Sequence, residues 1–307
     1  MPSLLHVLIP SAVAIDGDQR AIPPLPNLQA LLARMAPESV IAADDDSPEE
    51  PFKTALARAY SLPDVPGRTP WAAYQTQTIG TPCAWLTPAH LEAGMNDVRL
   101  SDPADLQVTD EQARALLDAC APLLAEDGIT LRAARSDAWL AQGEVFGGLT
   151  CWSPRRAAGR SLLPEQLLRT DDPAQQGRLL RLANELQMLL YAHPANDARE
   201  RAGLAAINAL WIHGAGRLAQ PVAPAPGVLV ADDLLAAHVD RAHAWLTLDA
   251  EPLARLLAHV ENGDSARLTL CGPQRARTWV AAPRTSWRTV MRRLFRPVSV
   301  AAALEEL

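Results

Sequence analysis

The residue types that could do chemistry crowd into one segment, Asn184 to Gly216, which reads NELQMLLYAHPANDARERAGLAAINALWIHGAG. His193, Arg199, Arg201 and Arg217 bracket Gly214 and Gly216. Glycines in a turn free backbone N–H groups, and such donors beside cations can hold a carboxylate or a phosphate. Around them stand four carboxamides, Asn184, Gln187, Asn196 and Asn208, and a further imidazole, His213. The same side chains have a second use. Buried carboxamides must be paired whether or not a ligand arrives, so these would equally satisfy one another and the buried backbone, and so fix a crossover in the chain. Both uses stay open at the level of sequence. The candidate ligand-binding set is Asn184, Gln187, His193, Asn196, Arg199, Asn208, His213, Gly214, Gly216 and Arg217. Of these, His193, Asn196, Arg199 and Asn208 are expected to converge in one pocket beside the Gly214 turn, because a helix end, a polar turn and a strand end meet there.

The elements that must position this set are legible around it. Leu179, Leu182, Leu186, Leu189 and Leu190 form an apolar helical stripe, with Asn184, Gln187 and Tyr191 on the adjacent face. Pro194 ends that helix near His193, a short polar turn or helix follows through Asn196, Arg199 and Arg201, and Ile207 to Ile212 reads as a buried strand emptying into the Gly214-Ala215-Gly216 turn.

Elsewhere, Leu4 to Ile9 reads as a first buried strand, and Leu28 to Met35 as a helix. Ser47-Pro48-Glu49-Glu50 reads as a capping box opening a helix to about Tyr60, and Leu62 to Tyr74 as loop. A second box, Thr109 to Gln112, opens a helix to Ala125; a hairpin from Ile129–Leu131 and Trp139–Leu140 follows, an α+β signature. Short strands are expected at 84–86, 98–100, 228–230, 268–271 and 278–281, and helices from an Asp232 or Asp233 cap toward Trp245 and at 253–260. The basic amphipathic tail, 284–296, places Trp287, Val290, Met291 and Leu294 against Arg288, Arg292 and Arg296. Domain organisation is read as an N-terminal α/β portion over 1–142 that includes the helix and hairpin, a loop or linker over 143–163, and a C-terminal α/β portion over 164–307, the whole able to form one domain.

HPANDARERAGLAAINALWIHGAG resembles the HPxNxxRxxxGxxxxNxLWxxGxG block of a bacterial family labelled regulatory protein E of a pathogenicity-factor cluster. His193, Pro194, Asn196, Arg199, Gly203, Asn208, Leu210, Trp211, Gly214 and Gly216 stand where that pattern wants them, whereas His213 replaces an aromatic. The block is similar in turn to a segment of archaeal-type, cofactor-independent phosphoglycerate mutases of the alkaline-phosphatase superfamily. The resemblance implies an α/β fold with a mixed sheet flanked by helices, partly alkaline-phosphatase-superfamily-like. It also implies that catalysis, if retained, would use two metal ions, an Asp at the end of the first strand, a Ser or Thr nucleophile, and later Asp and His ligands. The sequence does not show that set. The first strand runs into Pro10-Ser11, and Asp16-Gly17-Asp18 comes later as a turn. His238 and His243 point about 140° apart on a helix, and His259 is alone, so no metal site is expected.

The chain has 307 residues, 49% of them hydrophobic, enough for a substantial core, and a net charge of −7 that argues against nucleic acid as partner. Lys53 is the sole lysine. Four scattered cysteines form no CxxC pair, no apolar run approaches the roughly 20 residues of a membrane span, and a cytoplasmic location is expected. The leading functional expectation is a non-catalytic regulatory or ligand-sensing protein that recognises a small anionic or phosphorylated ligand, with no cofactor. One alternative is a phosphoglycerate mutase or phosphatase type of enzyme, which alone would call for a divalent metal. The other is a module that binds a protein partner through the basic C-terminal helix.

Overall fold

In the computed structural model, which describes residues 4–13, 22–234, 240–282 and 299–307, the chain begins with β1 (Leu5–Ile9), α1 (Pro26–Arg34), β2 (Met35–Ala42), α2 (Pro51–Ala59) and α3 (Trp71–Thr76). Then come β3 (Cys83–Ala89), β4 (Leu91–Ala93), β5 (Val98–Leu100), α4 (Asp110–Glu126), β6 (Thr130–Arg135), β7 (Ala138–Gln142), β8 (Thr150–Cys151), α5 (Pro154–Ala157) and β9 (Ser161–Leu162). After them lie α6 (Pro164–Leu167), β10 (Leu168–Arg169), α7 (Pro173–Tyr191), α8 (Pro194–Arg201) and β11 (Ala209–Gly216). The chain closes with β12 (Val228–Val230), α9 (Arg241–Leu248), α10 (Ala254–Asn262), β13 (Ala266–Cys271), β14 (Arg275–Ala281) and α11 (Val300–Glu305). The amphipathic tail expected over 284–296 lies outside the described residues.

Two units are formed from interleaved segments: Met1–Asp46, Glu50–Ser61 and Ala223–Leu307 make one, Ser47–Glu49 and Leu62–Val222 the other. They cut across the division at 142 and 164 read from the sequence. The reason is strand pairing at long range, which local composition does not display: β1 lies between β12 and β13, parallel to both, with Val7 opposite Leu229 and Leu268.

The first unit is built on a mixed sheet in the order β12-β1-β13-β14-β2, parallel around β1 and antiparallel through β14 and β2. All five residues of β1 are buried, as the interior strand of a sheet covered on both faces must be, with His6 the one polar side chain among them. One face is covered by α1, which buries Leu28, Leu31 and Leu32 beside Trp245, Leu253 and Leu256. The N-terminus of α1 has no side-chain cap of its own. It is capped from afar by Asp249, whose carboxylate accepts the N–H groups of Asn27 (3.2 Å) and Leu28 (2.8 Å). On the other face Leu8, Cys271 and Ala276 pack with Ala55 of α2.

The second unit carries an antiparallel sheet in the order β11-β3-β7-β6, with smaller β4-β5-β9 and β8-β10 pairings. Leu116, Cys120 and Leu124 of α4 and Leu179, Leu182, Leu186 and Leu190 of α7 meet Trp139 and Phe146 in one core. The helix and hairpin form as expected, and Thr109 and Gln112 make both halves of the capping box. Four local expectations are corrected. Ser47 to Glu50 is no capping box: α2 begins at Pro51, whose fixed φ suits a first helical position, and Glu49 is buried elsewhere. Part of the expected loop at 62–74 is helix α3, because Trp71-Ala72-Ala73 is buried. The 143–163 stretch is not a linker; Phe146, Leu149, Cys151 and Trp152 are core residues between glycine turns. Finally, α9 is capped by Asp240 and not by Asp232 or Asp233.

Candidate functional site

α7 ends at Tyr191, and α8 starts after His193, whose Nδ1 accepts the N–H of Ala195 at 3.2 Å. That makes the imidazole an N-cap. One turn on, the buried Asn196 donates to the carbonyls of Leu190 (2.7 Å) and Ile207 (2.9 Å) and accepts the N–H of Ile207 (2.8 Å). Its carboxamide thus ties the end of α7 to the approach to β11. Arg199 is 1% exposed, and its guanidinium donates to the Ala205 carbonyl (2.7 Å), Gln112 Oε1 (2.8 Å) and the Leu106 carbonyl (2.6 Å). Burial lowers its pKa from the ordinary arginine value. Asn208 acts as a piece of backbone: its carboxamide accepts the Leu91 N–H (2.8 Å) and donates to the Leu91 carbonyl (2.9 Å), extending the pairing of β11 toward β4.

The glycines have a different setting from the expected open turn. β11 runs on through Gly216, with its register to β3 shifting between His213 and Gly216. Gly214 has φ +60° and Gly216 φ +149°, the region that favours glycine. A Cβ at Gly214 would stand 3.1 Å from Trp71 Cβ, and one at Gly216 2.9 Å from Pro70 Cβ. The close approach these glycines permit is therefore that of the protein's own α3. That helix is anchored by Glu49, whose carboxylate accepts the Gly67 N–H (2.9 Å) and Trp71 Nε1–H (2.6 Å). His213 Nε2 lies 3.0 Å from Thr87 Oγ1 on the neighbouring strand, and the exposed Arg217 pairs with Glu144 at 2.6 Å.

His193 caps, and Asn196 and Arg199 stand on, one short helix, but each of the three addresses a different set of partners, and Asn208 addresses a fourth, Leu91. They do not converge on a pocket beside Gly214, which corrects that expectation. The physical reason is that these side chains find backbone partners in their own surroundings: Leu190 and Ile207 for Asn196, Ala205 and Leu106 for Arg199, and Leu91 for Asn208. Asn184 and Gln187 sit apart from the block, on α7, lining a cavity. Sequence reasoning missed Trp71, Glu49 and Gln112, which position the block. The run Trp71-Ala-Ala-Tyr74 without glycine was the available signal for α3.

At the exit of β1, Ser11 has φ +52°, and Arg241, at the start of α9, donates to the carbonyls of Ser11 (3.1 Å) and Ala12 (2.6 Å). On the α2 side of the same sheet, His6 Nε2 lies 2.8 Å from Thr269 Oγ1, itself 2.9 Å from Thr278 Oγ1. Burial, with a smaller contribution from Arg267, lowers the His6 pKa to about 4. Among the described residues no group of three or more His, Cys, Asp or Glu side chains could hold a metal ion; Asp16, Asp18 and His238 lie outside them. The four cysteines form no disulfide and are buried. No described helix is long and apolar enough to cross a membrane.

No family model matches the chain, and no curated protein matches its sequence. Among solved structures it is similar to the PH0037 protein from Pyrococcus horikoshii, with TM-score 0.50 and 14% identity over 95% of this chain and 92% of that one. A looser likeness is to the cofactor-independent phosphoglycerate mutase from Thermoplasma acidophilum DSM 1728, with TM-score 0.42 and 15% identity over 93% of this chain and 91% of that one. The mixed α/β architecture read from the sequence is the fold the chain shares with the PH0037 protein, at low identity.

Proposed function

We propose that the chain is a non-catalytic regulatory or ligand-sensing protein on a phosphoglycerate-mutase-like scaffold, of the kind the regulatory protein E resemblance implies, and that it acts in the cytoplasm. The observation that carries this reading is the use made of the central block. Asn196, Arg199 and Asn208 are engaged by backbone and by Gln112, and the space beside Gly214 and Gly216 is filled by Pro70 and Trp71. A substrate phosphate at this place would have to displace structural hydrogen bonds. The exit of the first strand supports the same reading. The resemblance calls for a metal-ligating Asp there, whereas Pro10-Ser11 stands at that place and the carbonyls of Ser11 and Ala12 accept from the Arg241 guanidinium.

The test is metal analysis of the purified full-length protein together with a phosphoglycerate mutase assay supplemented with manganese. Less than a tenth of an equivalent of transition metal, and turnover of 3-phosphoglycerate at background, are expected. Two manganese or zinc ions per chain, or turnover well above background, would replace this reading with that of a metal-dependent enzyme acting on a phosphorylated small molecule.

A further inference from the structure

Four successive residues of β11, Ala209, Leu210, Trp211 and Ile212, line one cavity of about 190 Å³ in the second unit. Successive side chains of a strand point to opposite faces, so one cavity reaches all four only by running along the strand's edge. β11 is an edge strand of its sheet, paired there to β3 alone. The opposite wall is α7, and residues of β4, β5 and the α6–β10 junction close the remaining sides.

Three properties define what this space would accept. Among the described residues that line it, none is charged. Two carboxamides line it, those of the exposed Asn184 and the half-buried Gln187. Its volume is slightly above the roughly 150 Å³ of an engineered apolar cavity that admits benzene. An ion brought against these residues would give up part of its hydration and meet no countercharge among them, and Arg199, the buried cation of this unit's central block, is held by three other acceptors. A neutral molecule loses little on entry and gains by burying its apolar surface.

We propose that this edge-strand cavity is the ligand site, and that its ligand is a compact, uncharged, largely apolar molecule of about one ring in size carrying a single hydrogen-bonding group, which the Asn184 and Gln187 carboxamides receive. The proposal rests on the ligand-sensing reading and moves the site from the Gly214 turn to the space between α7 and the first half of β11. It also replaces an anionic ligand by a neutral one.

Benzyl alcohol, benzoate and benzylamine serve as probes of equal size and different charge, titrated against the full-length protein by ligand-observed NMR and by Trp fluorescence, to which Trp211 contributes. Saturable binding of benzyl alcohol at least tenfold tighter than that of benzoate or benzylamine is expected. Ala183→Leu, which fills the cavity from a helical position tolerant of leucine, should abolish it. Gln187→Leu, on the partly exposed face of α7, should weaken it severalfold without lowering Tm, and keeps the test open should Ala183→Leu not fold. Binding of benzoate as tight as that of benzyl alcohol, undiminished binding by both variants, or no saturable binding of any probe would overturn the proposal. None of these outcomes involves metal content or mutase turnover, so the non-catalytic reading stands or falls separately.

Discussion

Replacing Arg199 with alanine should unfold the second unit at markedly lower temperature, and the size of the effect follows from its three acceptors. Arg199 ties α8 to the short helical turn Pro103–Leu106, to Gln112 in the first turn of α4, and to Ala205 ahead of β11. Hydrogen bonds from a charged donor are worth about 1.5–3 kcal/mol each. Against that loss stands relief from holding a guanidinium out of water with no carboxylate partner, a cost of several kcal/mol. The three acceptors also fare differently. Gln112 Oε1 keeps the Thr109 N–H (3.3 Å), and the exposed Ala205 regains water, but the carbonyl of Leu106, a residue 2% exposed, is left without this donor. An orphaned buried acceptor costs about 1–3 kcal/mol, and the void left by the side chain adds to it. A net loss of about 3 kcal/mol is expected, which for a unit of this size lowers Tm by about 6–12 °C. Arg199→Lys should be nearly as damaging, since one ammonium cannot reach acceptors on three segments. Thermal unfolding followed by circular dichroism, with and without sulfate, is the assay. An Arg199→Ala protein that melts within about 1 °C of the parent but no longer gains stability from sulfate would refute the reasoning and return Arg199 to an anion site.

Two further outcomes are expected. The folded-state pKa of His6, about 4, lies below the ordinary histidine value, so the unfolded chain binds the proton more readily. Its contribution is complete above about pH 6.5 and is lost as pH falls toward 4, for a total of about 3 kcal/mol. Urea unfolding at pH 7 and pH 4.5 should show this loss in the parent and a smaller one in His6→Gln; equal pH dependence would count against it. Gly216→Ala combines φ +149° with a Cβ contact at 2.9 Å to Pro70, and should lower stability by more than about 2 kcal/mol and loosen α3. Unchanged melting and unchanged amide exchange at Trp71 would show that β11 accommodates the change elsewhere.

The sequence by itself determined the local elements: the buried strand β1, α4 with its Thr109–Gln112 box, the hairpin β6–β7, and the break between α7 and α8 at Pro194. Each rests on contacts within a few residues, where hydrophobic period, cap chemistry and proline geometry act directly. It also marked which residues of the central block were unusual. Only the tertiary structure decided their use. Asn196 and Asn208 could face a ligand or a carbonyl with the same atoms, and the choice depends on which backbone groups distant segments bury: Leu91 beside Asn208, and Leu106 beside Arg199. The glycines marked a turn in the sequence, but that Pro70 and Trp71 close on them depends on a segment more than 140 residues earlier in the chain. The interleaving of the two units has the same origin, since β1 finds its partners in β12 and β13, more than 200 residues later in the sequence, and strand pairing leaves no trace in local composition.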